Sequence, residues 1–245
     1  MKKTIFSIMA LAMAMVSCTN EVLTDVDGYG IIALSVNNDE TVTRAAKTVA
    51  DLNGWVVKAN NGSEDISLTT ASTKVKAGTY TVSAQSHASE ADALADNSGW
   101  GAAYYEGSTS GVVVEPGKTV PATVDCGRAK NARLKVQFSL ISNFTEYSLT
   151  AERDLVFNSD NAASALAYYA ATEEVEYTLK YKYNNGAEKT ISGTITMKGV
   201  ATENIISIAS NDNGTISVTV NYDDTFSEGN ESEIVFDAAT GEEVK

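Results

Sequence analysis

The sequence predicts an all-β protein made of two tandem β-sandwiches, and three observations carry that prediction. Runs such as ARLKVQFSL (132–140) and VEYTLKYKYNN (175–185) alternate apolar and polar residues. That is the period of a strand with one face buried. Turn signals such as Asn60-Asn61-Gly62 and Asn184-Asn185-Gly186 punctuate these runs. The chain holds only two prolines, so the strands run unobstructed. Short strands with a turn about every 8–12 residues pack as sandwiches rather than as a parallel α/β sheet.

In order, GIIALSV (30–36) is the first strand, and residues 37–48 are a polar connection. GWVVKA (54–59) is the second strand, with Trp55 read as core beside Val56 and Val57. DISLTTASTKV (65–75) reads as one or two short strands, and TYTVSAQS (79–86) as another. SEADALAD (89–96) is a short helix, with Ser89 as its N-cap and acids in its first turn. Glu115-Pro116-Gly117-Lys118 is a turn. It predicts that 112–114 and 120–124 are neighbouring antiparallel strands. Residues 127–130 connect the halves. In the second half, 132–140, 146–152 and 154–158 are strands. Two hairpins follow, 175–185 with 189–199 and 203–210 with 215–222. The resulting division is a first sandwich over 28–127 and a second over 131–245.

An export signal precedes the first strand. Lys2 and Lys3 lead into thirteen uncharged residues, Thr4 to Val16. A membrane-spanning helix needs about 20 residues, so this run fits the core of a signal peptide. Ser17-Cys18 follows, with Met15 at the aliphatic position where Leu is usual. Lipoprotein signal peptidase cuts before such a cysteine, whose thiol becomes a diacylglycerol thioether. Residues 1–17 are therefore read as signal peptide and 18–27 as a lipidated tether. The membrane, through lipid on Cys18, is the first expected partner. Two or three acyl chains such as palmitate anchor a protein stably, where a single chain holds it only marginally.

Composition narrows the rest. The chain has 245 residues, a net charge of −14 and two cysteines. Loss of the two signal-peptide lysines makes the mature charge −16. Such a surface repels phosphate backbones and argues against nucleic-acid binding. With Cys18 lipidated, Cys126 has no disulfide partner and reads as a small buried hydrophobe.

The segments GYGIIALSV, KAGTYTVSAQS and YYEGSTSGVVVEPGKTVPATVDCGRAKNARL together resemble a domain-of-unknown-function family of Bacteroidales lipoproteins. The layout is similar to that of fimbrillin-like proteins. The resemblance implies transthyretin-like or immunoglobulin-like sandwiches on an outer-membrane lipoprotein, displayed at the cell surface. It implies no catalytic residues. The role expected is binding or adhesion, with a surface protein or a glycan as partner.

Two alternatives follow. Fimbrillin-type pilins are assembled after an arginine-specific protease cuts away an N-terminal strand, and Arg44-Ala45 lies in the polar loop where such a cut would fall. A pilin-like subunit assembled by strand donation is thus one alternative. A glycan-binding accessory lipoprotein is the other, with Trp100, Tyr104 and Tyr105 as candidate stacking residues. Strand alternation would set Tyr104 and Tyr105 on opposite faces. Asp25-Val26-Asp27-Gly28 opens like a calcium loop but has Val36 where the twelfth-position acid belongs. No metal and no cofactor are expected. The chain has one histidine, His87, and lacks GxSxG, HExxH and CxxC motifs, so no enzymatic activity is expected.

Overall fold

The computed structural model describes residues 28–38, 54–200, 202–211, 213–223 and 232–244. The protein is all-β. The first half contains β1 (Tyr29–Asn37), β2 (Val56–Asn60), β3 (Asp65–Ser67), β4 (Ser72–Lys76), β5 (Gly78–Gln85), β6 (Glu106–Val114) and β7 (Thr119–Asp125). The helix α1 (Glu90–Ala95) lies between β5 and β6. The second half contains β8 (Ala132–Ser139), β9 (Phe144–Ala151), β10 (Leu155–Asn158), β11 (Ala167–Tyr169) and β12 (Glu174–Tyr183). It ends with β13 (Glu188–Thr196), β14 (Glu203–Ser210), β15 (Thr215–Asp223) and β16 (Ser232–Asp237).

The first half forms sheets of order β4-β1-β7 and β3-β2-β5-β6. Alternation does what the sequence predicts here: Ile32, Leu34 and Val36 of β1 are buried, as are Tyr80, Val82 and Ala84 of β5. These side chains form one apolar cluster with Val57, Val75, Val112 and Val124. The second half forms sheets of order β10-β9-β12-β13 and β11-β8-β14-β15-β16. Its own cluster is built on Leu134, Val136, Leu149, Phe157, Leu179, Tyr181 and Ile206. The two clusters share no residue.

The pairing pattern is the same in both halves. β1 pairs antiparallel with β4 and parallel with β7. β8 pairs antiparallel with β11 and parallel with β14. Likewise β3-β2-β5-β6 matches β10-β9-β12-β13 strand for strand. The second copy adds β15 and β16 beyond β14.

Several sequence expectations need correction. β6 and β7 are not ladder partners, because they lie in different sheets. The turn between them is tied to β1 instead: Gly117 N–H donates to Tyr29 O (2.8 Å) and Ile31 N–H to Lys118 O (2.8 Å). β7 then runs parallel to β1, from Ile31↔Thr119 to Asn37↔Asp125. Cys126 N–H donates to Asn37 O (2.9 Å). Alternate residues of a parallel strand address the same neighbour, so the even-numbered residues of β7 face β1. Pro121 faces away, and its missing N–H interrupts no ladder bond. The 65–75 run is two strands in different sheets, β3 and β4. The short β11 and the last strand, β16, were not anticipated.

Candidate functional site

The longest excursion from the sheets among the described residues is the segment between β5 and β6, residues 86–105. It begins as predicted. Ser89 caps α1, its Oγ accepting from Asp92 N–H (3.1 Å). Asp96 then ends the helix in an extended conformation. Asn97 (φ 49°), Ser98 (φ 56°) and Gly99 (φ 88°) follow in the left-handed region. This run reverses the chain, and Asp96 O accepts from both Gly99 N–H and Gly101 N–H (3.0 Å each). Ala102 N–H donates back to Ala93 O (2.8 Å).

The returning segment of this loop docks on the second half. Gly101 suits this approach, because its φ of 77° lies in the left-handed region and a Cβ would lie 3.0 Å from the Cβ of Tyr168. Tyr168 N–H donates to Trp100 O (2.8 Å), and Trp100 sits edge-on to Phe157 with ring centroids 5.0 Å apart. The Arg153 guanidinium joins the two halves. It donates to Leu94 O (2.9 Å) and to Tyr168 O (2.6 Å), and lies 4.2 Å over the Tyr169 ring. From the linker, buried Asn131 accepts from Tyr104 N–H (3.0 Å) and donates to Ala102 O (2.7 Å).

Between this loop and the body of the protein lies a cleft of about 780 Å³, lined by Trp55, His87, Asp92, Asp96, Tyr105 and Tyr168 among others. Trp55 and Tyr105 are nearly parallel, 11° between planes and 6.2 Å between centroids. Asp96 holds the wall through both carboxylate oxygens. Oδ1 accepts from Asn97 N–H (2.7 Å), and Oδ2 is 3.4 Å from His87 Nε2. The Asn97 N–H, and then His87, hold the Asp96 carboxyl below the usual carboxylate range. His87 Nδ1 is 3.0 Å from Ser86 Oγ. That hydroxyl also accepts from Tyr105 N–H (2.9 Å) and donates to Ala103 O (3.3 Å). It therefore stitches the end of β5 to the returning loop.

Of the residues singled out in the sequence, Cys18, Arg44 and Ala45 lie outside the described residues. Trp100, Tyr104 and Tyr105 do not form a stacking platform: Trp100 packs against the second core and Tyr105 belongs to the first. Tyr104 and Tyr105 are both buried, because the segment carrying them is covered on both sides. Strand alternation fails there because the segment is not a strand. The Tyr104 hydroxyl donates to Glu106 (3.0 Å) and accepts from Gln85 (3.1 Å), and burial pushes its pKa up. Trp100 packs on the second half. Trp55 is half-buried at the edge of the first core rather than inside it. Cys126 is buried, which pushes its thiol pKa up to about 11. Among the described residues, no group of three or more His, Cys, Asp or Glu could hold a metal ion. Among them, too, no helix is long and apolar enough to cross a membrane.

Tyr168, and the meeting of Trp55 and His87 in the lining of one cleft, were missed by sequence reasoning. The available signal was the long non-strand insert itself, with Asn97-Ser98-Gly99 and Gly101 clustered after a helix.

An all-β chain with this duplicated sandwich plan belongs to the family described as "Domain of unknown function (DUF4493)", which matches residues 28–237. No curated protein matches the chain. Among solved structures it is similar to a fimbrial assembly protein from Parabacteroides distasonis. The identity is 10% and the TM-score 0.41, covering 84% of this chain and 98% of that one. A likeness that low transfers no role.

Proposed function

We propose that this protein is a cell-envelope lipoprotein, anchored through Cys18 and displayed at the outer surface, with a non-catalytic binding or adhesion role. The observation that carries the binding role is the preformed cleft at the junction, walled by the loop that Arg153 and Asn131 hold in place. Concave sites with an aromatic lining and a few convergent polar groups are the usual form of a binding site. The Ser86, His87 and Asp96 side chains form a hydrogen-bonded series, but the serine oxygen is engaged by backbone on both sides. That suits a structural bridge better than a nucleophile. The test is twofold. Fatty-acid labelling should require Cys18, disappearing in Cys18→Ala. Protease shaving of intact cells should degrade the protein. Protection from the protease would refute surface display.

A second reading, strand donation, is favoured by the position of β1. It lies inside its sheet, paired with β4 on one side and β7 on the other. A cut after Arg44 would free the segment carrying β1 and open a groove between β4 and β7, floored by core side chains such as Tyr80 and Val82. An added strand gains backbone hydrogen bonds in such a groove. Surface material would then begin at Ala45 and run as a ladder on unboiled gels. Material that always retains the lipid on Cys18 would exclude this reading.

A further inference from the structure

We propose that the first sandwich is a load-bearing link, in which β1 and β7 form a shear clamp between the membrane anchor and the second half. The direction of load rests on the N-terminal anchor proposed above. The clamp itself rests on strand geometry.

A pull between the anchor and the second half reaches the first sandwich at its two ends. It enters at Tyr29, where β1 begins, and leaves at Asp125, where β7 runs into the linker. These strands are direct neighbours and run parallel, paired from Ile31↔Thr119 to Asn37↔Asp125. The start of β1 and the end of β7 therefore lie at opposite ends of one ladder. Force applied there slides one strand along the other. Ladder bonds lie across the strands and are evenly spaced in a parallel pair, so all of them share the sliding force at once. At the two ends of the ladder, Ile31 N–H donates to Lys118 O (2.8 Å) and Cys126 N–H to Asn37 O (2.9 Å). Strands pulled apart from the same end would instead open one bond at a time.

Other contacts resist the same slip. β4 grips the opposite side of β1, from Tyr29↔Lys76 to Ala33↔Ser72. The Ser35 and Thr123 hydroxyls are hydrogen-bonded across β1 and β7 (2.9 Å). Ile32, Leu34 and Val36 project into the first core, so β1 cannot move along its axis without dragging them through close-packed neighbours. The second half repeats the grip on its own entering strand: β8 lies between β11 and β14 and runs parallel to β14, from Arg133↔Glu203 to Ser139↔Ala209. A binding protein held at one end bears tension whenever its partner moves away. Its survival then depends on the unfolding rate under force rather than on equilibrium stability.

The test pulls the unlipidated mature chain, residues 18–245, in two directions by single-molecule force spectroscopy. One handle is the Cys18 thiol in both; Cys126 is buried and takes none. The other handle is a thiol in the linker, in Lys130→Cys, or at the entrance to β7, in Lys118→Cys, both exposed positions. Each variant should keep the thermal transition of the parent. Residue 118 lies beside the start of β1, since Gly117 N–H donates to Tyr29 O, so the second direction peels the ladder that the first one shears. At one pulling speed the rupture force should be severalfold higher with the handle at 130 than at 118. Equal forces, or a low-force release of β1 ahead of the rest in the 130 direction, would overturn the proposal. Either result with Cys18 still lipidated in cells would remove the clamp and leave the anchor standing. A direction-dependent force with no lipid on Cys18 would refute the anchor reading alone.

Discussion

The two sandwiches thread seven strands in the same order, and two of the differences between them concern what surrounds the fold rather than the fold itself. The first is the connection after the fifth strand. In the second half it is the short turn 184–187 between β12 and β13, whereas in the first it is the loop 86–105 that builds the cleft. The second is the far edge of the first-strand sheet. In the second half β15 pairs along β14, from Glu203↔Asp223 to Ser210↔Ile216. In the first half no described strand pairs with the outer side of β7. There β6 leans across from the other sheet, and Thr109 Oγ1 donates to Thr123 O (2.7 Å). Pro121 also faces that edge. An open edge can be covered by more strands or closed by a neighbour and a proline, and this chain does one in each half. The repeated frame supplies rigidity, while the candidate site lies on the insert.

The comparison can be broken first at the core. Ile32 of β1 and Leu134 of β8 occupy equivalent strands and are both 0% exposed. Replacing either with Ala should cost about 2–5 kcal/mol. By hydrogen exchange, Ile32→Ala should release amides of β4 and β7, and Leu134→Ala those of β11 and β14. A single shared release in both variants would mean the halves unfold as one unit.

Next come two glycines that face different obstacles. A Cβ on Gly107 would meet the Asp125 carbonyl oxygen at 2.4 Å, which is backbone. A Cβ on Gly193 would meet the ring of Tyr177, its hydroxyl at 2.4 Å, and that side chain is buried in the second core. Gly107→Ala and Gly193→Ala should therefore each lose about 1–3 kcal/mol by urea unfolding, as overpacking does. An unchanged stability in Gly107→Ala would argue against the β6–β7 closure.

A smaller effect is expected at the latch. Arg153→Gln removes the forked donor from Leu94 O and Tyr168 O, and at this exposed position should cost about 1 kcal/mol. Its clearer mark should be faster amide exchange across 93–102 with the sheet amides unchanged. Unaltered exchange there would show that Trp100 and Asn131 suffice.

The smallest effect is in acid. The folded-state pKa of Asp96 is depressed, so its interactions are fully present above the usual carboxylate value of about 4 and fade as the pH falls through the lower folded value. Tryptophan emission should change in that acid window, and Asp96→Asn should remove that component. A change unaffected by Asp96→Asn would assign it to other acids.

Much of the fold was legible. Leu134, Val136, Val175, Leu179 and Tyr181 are buried where alternation puts them, because a period of two leaves one face apolar whatever the partner. Both second-half hairpins formed as read, since an Asn-Gly turn selects its own neighbouring strand. Ser89 capped its helix because capping needs only a hydroxyl and N–H groups three residues away. The site was scarcely legible. His87 stood out only as the single histidine, and Trp55 read as core.

What the sequence determined by itself is local: strand periodicity, tight turns, a helix cap, and the signal-like segment ending at Cys18. What only the tertiary structure decided is which strands meet across long separations. The 115–118 turn specifies that the chain reverses, but hydrogen bonds to Tyr29 and Ile31 send β7 alongside β1 instead of β6. In the same way Trp55, Asp96 and Tyr168 become neighbours only when the loop folds down on the second half. Loop closure over such distances depends on packing of the whole molecule, and no short stretch of sequence encodes it.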